Sequence, residues 1–164
     1  MKRYYCLAGL CMILASVATA TEHVQEIKPF VRGSYQQIVS SRQGKPFIVN
    51  FWSISCSYCI EEMTMLKKLA KNHSRLDLVL ISTDSPSEKT SVSAVLEKFS
   101  PQKAEAWLFA DNYTAPLFFE IDKQWHGELP RTYFFNAQNE VTAFSGKLEH
   151  NKIEQWIKQH YDYE

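Results

Sequence analysis

The chain has 164 residues, enough for one domain with a proper core and too few for two ordinary ones. Its hydrophobic content of 45% and charged content of 22% are those of a globular protein. The 18 basic residues balance 18 acidic ones, so charge makes no case for binding nucleic acid or an anionic membrane.

The first stretch, MKRYYCLAGLCMILASVATA, carries Lys2 and Arg3, an apolar segment, and then Ala18-Thr19-Ala20. This is the pattern of a secretory signal with cleavage expected before Thr21. The domain plan that follows is 1–20 signal peptide and 21–164 one domain. A retained membrane anchor is the weaker alternative, because the apolar segment is short for a span of about 20 residues. A lipid-modified Cys11 is weaker still, since Leu10 before it is large. Cleavage removes Lys2 and Arg3, leaving a slightly acidic domain, and it removes Cys6 and Cys11. Cys56 and Cys59 then remain in a compartment where disulfides can form.

KPFIVNFWS (45–53) is a short run of β-favouring apolar residues behind Gly44, and reads as a buried strand. CIEEMTMLKKLAKN (59–72) follows, with Ile60, Met63, Leu66 and Ala70 at helical spacing, glutamates early and lysines late. Cys56 therefore falls at a strand-to-helix junction. LDLVLIST (76–83) predicts a second strand, and 85–100 a helix with Ser85 as cap and Pro86 in its first turn. AWLFA (106–110) predicts a third strand, and 114–125 a shorter, aromatic-rich helix. The segment 131–146 reads as two strands around a polar turn at Asn136–Asn139. The segment 148–161 is an amphipathic helix, with Leu148, Ile153, Trp156 and Ile157 on its apolar side. Strands alternating with helices predict an α/β fold with a mixed central sheet flanked by helices.

Two cysteines three apart at a helix start can close a disulfide with little backbone movement. The unpaired N–H groups of the helix end favour a thiolate on Cys56, which makes it the attacking sulfur. Cys59, one turn in, is placed to resolve a mixed disulfide. A structural zinc site is disfavoured, because the exported chain has no second cysteine pair and its histidines are scattered. A purely structural disulfide is also disfavoured, since so small a loop stabilises little.

GKPFIVNFWSISCSYCIEEM and the later GELPRTYFFNAQNEV, about seventy residues on, resemble the thioredoxin superfamily. Within it they are similar to the exported TlpA/ResA/CcmG-like thiol–disulfide oxidoreductases. The resemblance implies a thioredoxin fold over most of the mature chain. It implies a cis-proline at Pro130 opposite the disulfide, with Leu129 pairing with an extended substrate. Asn50 stands where cytosolic thioredoxins carry a buried aspartate. Glu62 matches a glutamate that would shuttle the proton of Cys59; the plainer alternative is a solvated glutamate of the first turn. Trp52 and Trp125, neighbours of the motif and of the proline loop, are expected to line the partner groove, although most of the aromatic residues should be core. The chain departs from the family at Ser55, where a tryptophan is usual, and at Thr64, where a proline often kinks the helix. It departs again at Ser57-Tyr58, which lacks the proline of the reductase members.

The expected protein is a periplasmic oxidoreductase that reduces disulfides in exported partners, through Cys56, Cys59 and Glu62. It is expected to be a monomer with no cofactor and no metal, because the cysteine pair carries both electrons. Its partners would be exported cysteine-containing proteins, with cytochrome c maturation and copper-site assembly factors as candidates. A membrane redox protein would restore its working state. The alternatives are a disulfide oxidase or isomerase, or a thioredoxin-fold module binding copper(I) through two thiolates.

Overall fold

The computed structural model describes residues 25–111 and 113–161. The expected signal segment 1–20 lies outside the described residues. Six strands form one sheet: β1 (Ile27–Phe30), β2 (Phe47–Trp52), β3 (Leu78–Ser82), β4 (Glu105–Phe109), β5 (Arg131–Phe135) and β6 (Val141–Ser145). Five helices accompany them: α1 (Ser34–Ser40), α2 (Ser57–Asn72), α3 (Lys89–Phe99), α4 (Ala115–Ile121) and α5 (His150–Tyr161). The strand order is β1-β4-β3-β2-β5-β6. Strands β1 to β4 run parallel, while β5 is antiparallel to β2 and β6 antiparallel to β5. The mixed sheet flanked by helices is the expected thioredoxin fold.

Side chains on a strand alternate between faces, and β2 divides the core accordingly. Ile48 and Trp52 join one cluster, with Cys59, Met63 and Leu66 of α2, Val92 and Leu96 of α3, and Ile153 and Ile157 of α5. Phe47, Val49 and Phe51 join the other, with Phe30, Ile38 of α1, and Leu117 and Ile121 of α4. All six residues of β2 are buried. Asn50 is a polar residue on the α2 face, and its position decides much of the site.

The predicted strands and helices after residue 45 are all present, with ends displaced by a few residues. The segment 85–100 splits into a 3₁₀ turn (Pro86–Glu88), closed by a Ser85/Glu88 capping box, and α3. Helix α2 starts at Ser57, so Glu61 and Glu62 occupy its second turn rather than its first. Its buried stripe is Cys59, Glu62, Met63, Leu66 and Leu69, one position off the stripe through Ile60 and Ala70. Thr64 donates its hydroxyl to the Ile60 carbonyl at 2.8 Å, and the helix continues unbroken to Asn72.

Two elements had no sequence signal. β1 is a four-residue edge strand containing Pro29, which only an edge tolerates. α1 is seven residues long, and Ile38 is its one fully buried apolar side chain. Neither is long enough to display a period.

Phe51 is fully buried at the middle of the aromatic cluster. Its ring centroid lies 4.8 Å from Trp125, 5.9 Å from Tyr133 and 6.2 Å from Phe30. Phe51→Ala is expected to destabilise the protein by about 3–5 kcal/mol, read from the urea unfolding midpoint at unchanged slope.

Candidate active site

Strand β2 ends at Trp52, and four residues later Cys56 caps the N-terminus of α2. Its backbone is extended (φ −96°, ψ 100°), and its Sγ accepts the Cys59 N–H at 3.1 Å. The sulfur thus takes the place of the oxygen acceptor that usually caps a helix. The Cys56 N–H donates to the Ser53 carbonyl at 3.1 Å, which closes a tight turn before the helix. Cys56 and Cys59 are joined by a disulfide of 2.08 Å. Cys59 is fully buried and Cys56 half-buried, so the two members of the pair differ in exposure. Between them Tyr58 is 60% exposed.

The Leu129–Pro130 peptide bond is cis. Pro130 is buried, and its carbonyl accepts the Gly146 N–H at 2.8 Å. Leu129 is half-buried and packs against the same cluster as Cys56 and Ile54.

Glu62 lies one turn beyond Cys59 on the buried stripe of α2, with no exposed surface. It is not a solvated helix-end glutamate. Its Oε1 accepts the Asn50 amide and the Thr132 hydroxyl, each at 2.8 Å. Its Oε2 accepts the Leu148 backbone N–H at 2.8 Å. Asn50 also donates to Thr132 at 2.9 Å. Burial pushes the Glu62 carboxyl above its ordinary range, while the Leu148 N–H, the Thr132 hydroxyl and the charge of Lys147 pull it back. Asn50 and Thr132 meet because they are opposite each other in the β2–β5 ladder. Thr132 and the Leu148 N–H were not foreseen. Register between segments about eighty residues apart leaves no local mark in a sequence.

The tryptophans require a correction. Trp52 is fully buried in the α2-side core, because it ends β2 at an inward-facing position. Trp125 is 3% exposed, packs on Phe51 and Phe118, and donates its indole N–H to the Glu128 carbonyl at 2.9 Å. Neither presents a wall to a partner. The aromatic side chain that faces outward at the motif is Tyr58. Among the described residues, no group of three or more His, Cys, Asp or Glu side chains could hold a metal ion.

A thioredoxin sheet, a C-x-x-C disulfide capping the helix after β2, and a cis-proline leading into β5 define the thiol–disulfide exchange class of thioredoxin-fold proteins. The chain belongs to the AhpC/TSA family, whose pattern matches residues 30–144. Its fold is similar to that of a secreted Mycobacterium tuberculosis disulfide oxidoreductase homologous to E. coli DsbE. That pair has a TM-score of 0.56 and 18% identity over 73% of this chain and 85% of the other. A thiol:disulfide interchange protein of the thioredoxin family from Chlorobium tepidum gives a TM-score of 0.57 and 20% identity, covering 74% and 83%. StoA from Bacillus subtilis gives 0.51 and 18%, covering 70% and 83%. No curated protein matches the chain significantly.

The raised Glu62 carboxyl sets a pH dependence. Between its ordinary value of 4.5 and its raised folded value, the folded state holds a proton that the unfolded state has released. This contribution to stability is complete below the ordinary value and is lost as pH rises through the folded one. Glu62→Gln lacks the titration. The stability difference should therefore move in the variant's favour as pH rises across that window, checked by urea unfolding at stepped pH. The constant offset from the replaced acceptor oxygen does not alter this slope.

Proposed function

We propose that the protein is an exported thiol–disulfide oxidoreductase that reduces disulfides of other exported proteins. The observation that carries this reading is the asymmetry of the pair. Cys56 is reachable at a helix N-terminus, while Cys59 is sealed beside a buried carboxylate. In the reduced protein the Cys56 thiolate attacks one sulfur of a partner disulfide. An S–S bond forms between Cys56 and the partner as the partner's own S–S bond breaks, releasing a partner thiolate. Cys59 then loses its proton, with Glu62 one turn away as the acceptor, and its thiolate attacks Cys56 Sγ. The Cys56–Cys59 disulfide forms, the second partner thiolate leaves, and two electrons have passed to the partner.

The pair carries both electrons, so the reading calls on no cofactor. Leu129 and Pro130 would align the partner's extended chain beside Cys56, and a membrane redox protein would return the electrons. The signal-like segment 1–20 and the secreted oxidoreductase of similar fold support export to the periplasm. Exported cysteine proteins are the substrate class, with cytochrome c maturation and copper-site assembly factors as candidates.

The reduction potential of the couple, measured in glutathione or dithiothreitol buffers, tests the direction. A value near or below about −250 mV, on the thioredoxin side of the scale, is expected of a reductase. A value of about −120 to −180 mV, in the range of oxidants and isomerases, would reverse the direction. For the order of attack, Cys59→Ser should accumulate mixed disulfides through Cys56, whereas Cys56→Ser should abolish exchange. Non-reducing gels with peptide mapping read both.

A further inference from the structure

Strands β2 and β3 are parallel neighbours with Ser82 opposite Trp52, so their C-terminal ends open side by side. Two residues past the end of β3 is Asp84, which is buried at 9% exposure. Its carboxylate is held by neutral donors. Oδ1 accepts the Ser53 hydroxyl at 2.7 Å, while Oδ2 accepts the Ile54 backbone N–H at 2.9 Å and the Ser82 hydroxyl at 2.7 Å. Ser82 Oγ in turn accepts the Asp84 N–H at 3.1 Å. Ser53 Oγ, whose hydrogen is committed to Asp84, accepts the Ser55 N–H at 3.2 Å and stands 3.0 Å from Ser55 Oγ, which must be the donor there. The hydrogens run from Ser55 to Ser53 to Asp84, all toward the carboxylate. The Cys56 N–H completes the turn on the Ser53 carbonyl. Every residue between β2 and Cys56 is thus tied to one carboxylate, directly or through Ser53.

We propose that Asp84 is a positioning residue of the redox site: it fixes the 53–55 loop that presents Cys56 and, as a buried negative charge beside that loop, biases the pair toward the disulfide. The proposal rests on Cys56 being the attacking thiol. A like charge nearby disfavours the thiolate, opposing the pull of the helix N-terminus. Destabilising the reduced form makes the dithiol a stronger reductant. Other charges near the motif, among the described residues, include the buried Glu62 and the Glu61–Lys147 ion pair, with Lys147 in electrostatic reach of Glu62 and Tyr58. Among the described residues Asp84 has no cation among its donors, so its charge acts on the loop without a counter-ion bonded to it there.

The test compares Asp84→Asn with Ser82→Ala, which keeps the charge and removes one donor. The readouts are the pH midpoint of Cys56 alkylation by iodoacetamide, mapped by peptide mass spectrometry, and the equilibrium with glutathione. Asp84→Asn should lower the midpoint and shift the equilibrium about tenfold toward the dithiol, about 30 mV for a two-electron couple. Ser82→Ala should lower the melting temperature and leave both redox readings at their wild-type values. A folded Asp84→Asn protein with unchanged midpoint and potential would overturn the proposal, leaving Asp84 as a staple of the fold. A Ser82→Ala shift as large as that of Asp84→Asn would overturn it too, by making loop packing the cause. If Asp84→Asn does not fold, Asp84→Ser, which can still accept the Ile54 N–H, is read against the same outcomes. Alkylation mapped to Cys59 would instead overturn the order of attack beneath the proposal.

Discussion

Strand β2 has no exposed residue and carries a layer of helices on each of its faces. A strand in that position must be apolar on both sides, and five of the six residues of FIVNFW are. Asn50 is the exception, and a buried amide has to find partners. Its nitrogen donates to Thr132 across the ladder and to Glu62 on the helix above, while its Oδ1 has no hydrogen-bond partner among the described residues, so the most buried strand supplies one anchor of a polar cage in an otherwise apolar layer. The same strand delivers the chain to Cys56 at its end. Packing and chemistry are therefore set by one element.

Burying a carboxylate without a bonded counter-ion is costly unless its lone pairs are filled. Glu62 and Asp84 meet that requirement alike, with neutral donors drawn from several segments. Glu62 draws on β2, β5 and the loop before α5, and Asp84 on the ends of β2 and β3. Both follow the cysteine motif in sequence, but they approach it from different elements. One stands next to the sealed sulfur, the other next to the loop that presents the open one.

Much of this was legible in the residues. The spacing of Cys56 and Cys59 behind an apolar run fixed the junction, and the expected cis bond before Pro130 is present. Glu62 could be read one step further than its resemblance, because it falls three residues after Cys59 on the same helical stripe as Met63 and Leu66. For the tryptophans, proximity in sequence misleads. Position next to a motif says nothing about which face of the sheet a side chain takes, and the alternation along β2 turns Trp52 inward. Thr132, the Leu148 N–H and Asp84 depend on register between distant strands, which no local pattern carries. β1 and α1 were too short to show one.

The Leu148 N–H joins a carboxylate 86 residues earlier in the chain. The loop that carries it is among the last parts of the domain to be made. A chain folded only as far as β5 would hold the cysteine pair with Asn50 and Thr132 in place, but with Oε2 of Glu62 unsatisfied. The redox motif comes early in synthesis, and the hydrogen bonds around its buried carboxylate are complete only once that loop has been made. Extensions or truncations near α5 therefore bear on the chemistry of cysteines that lie far away along the sequence.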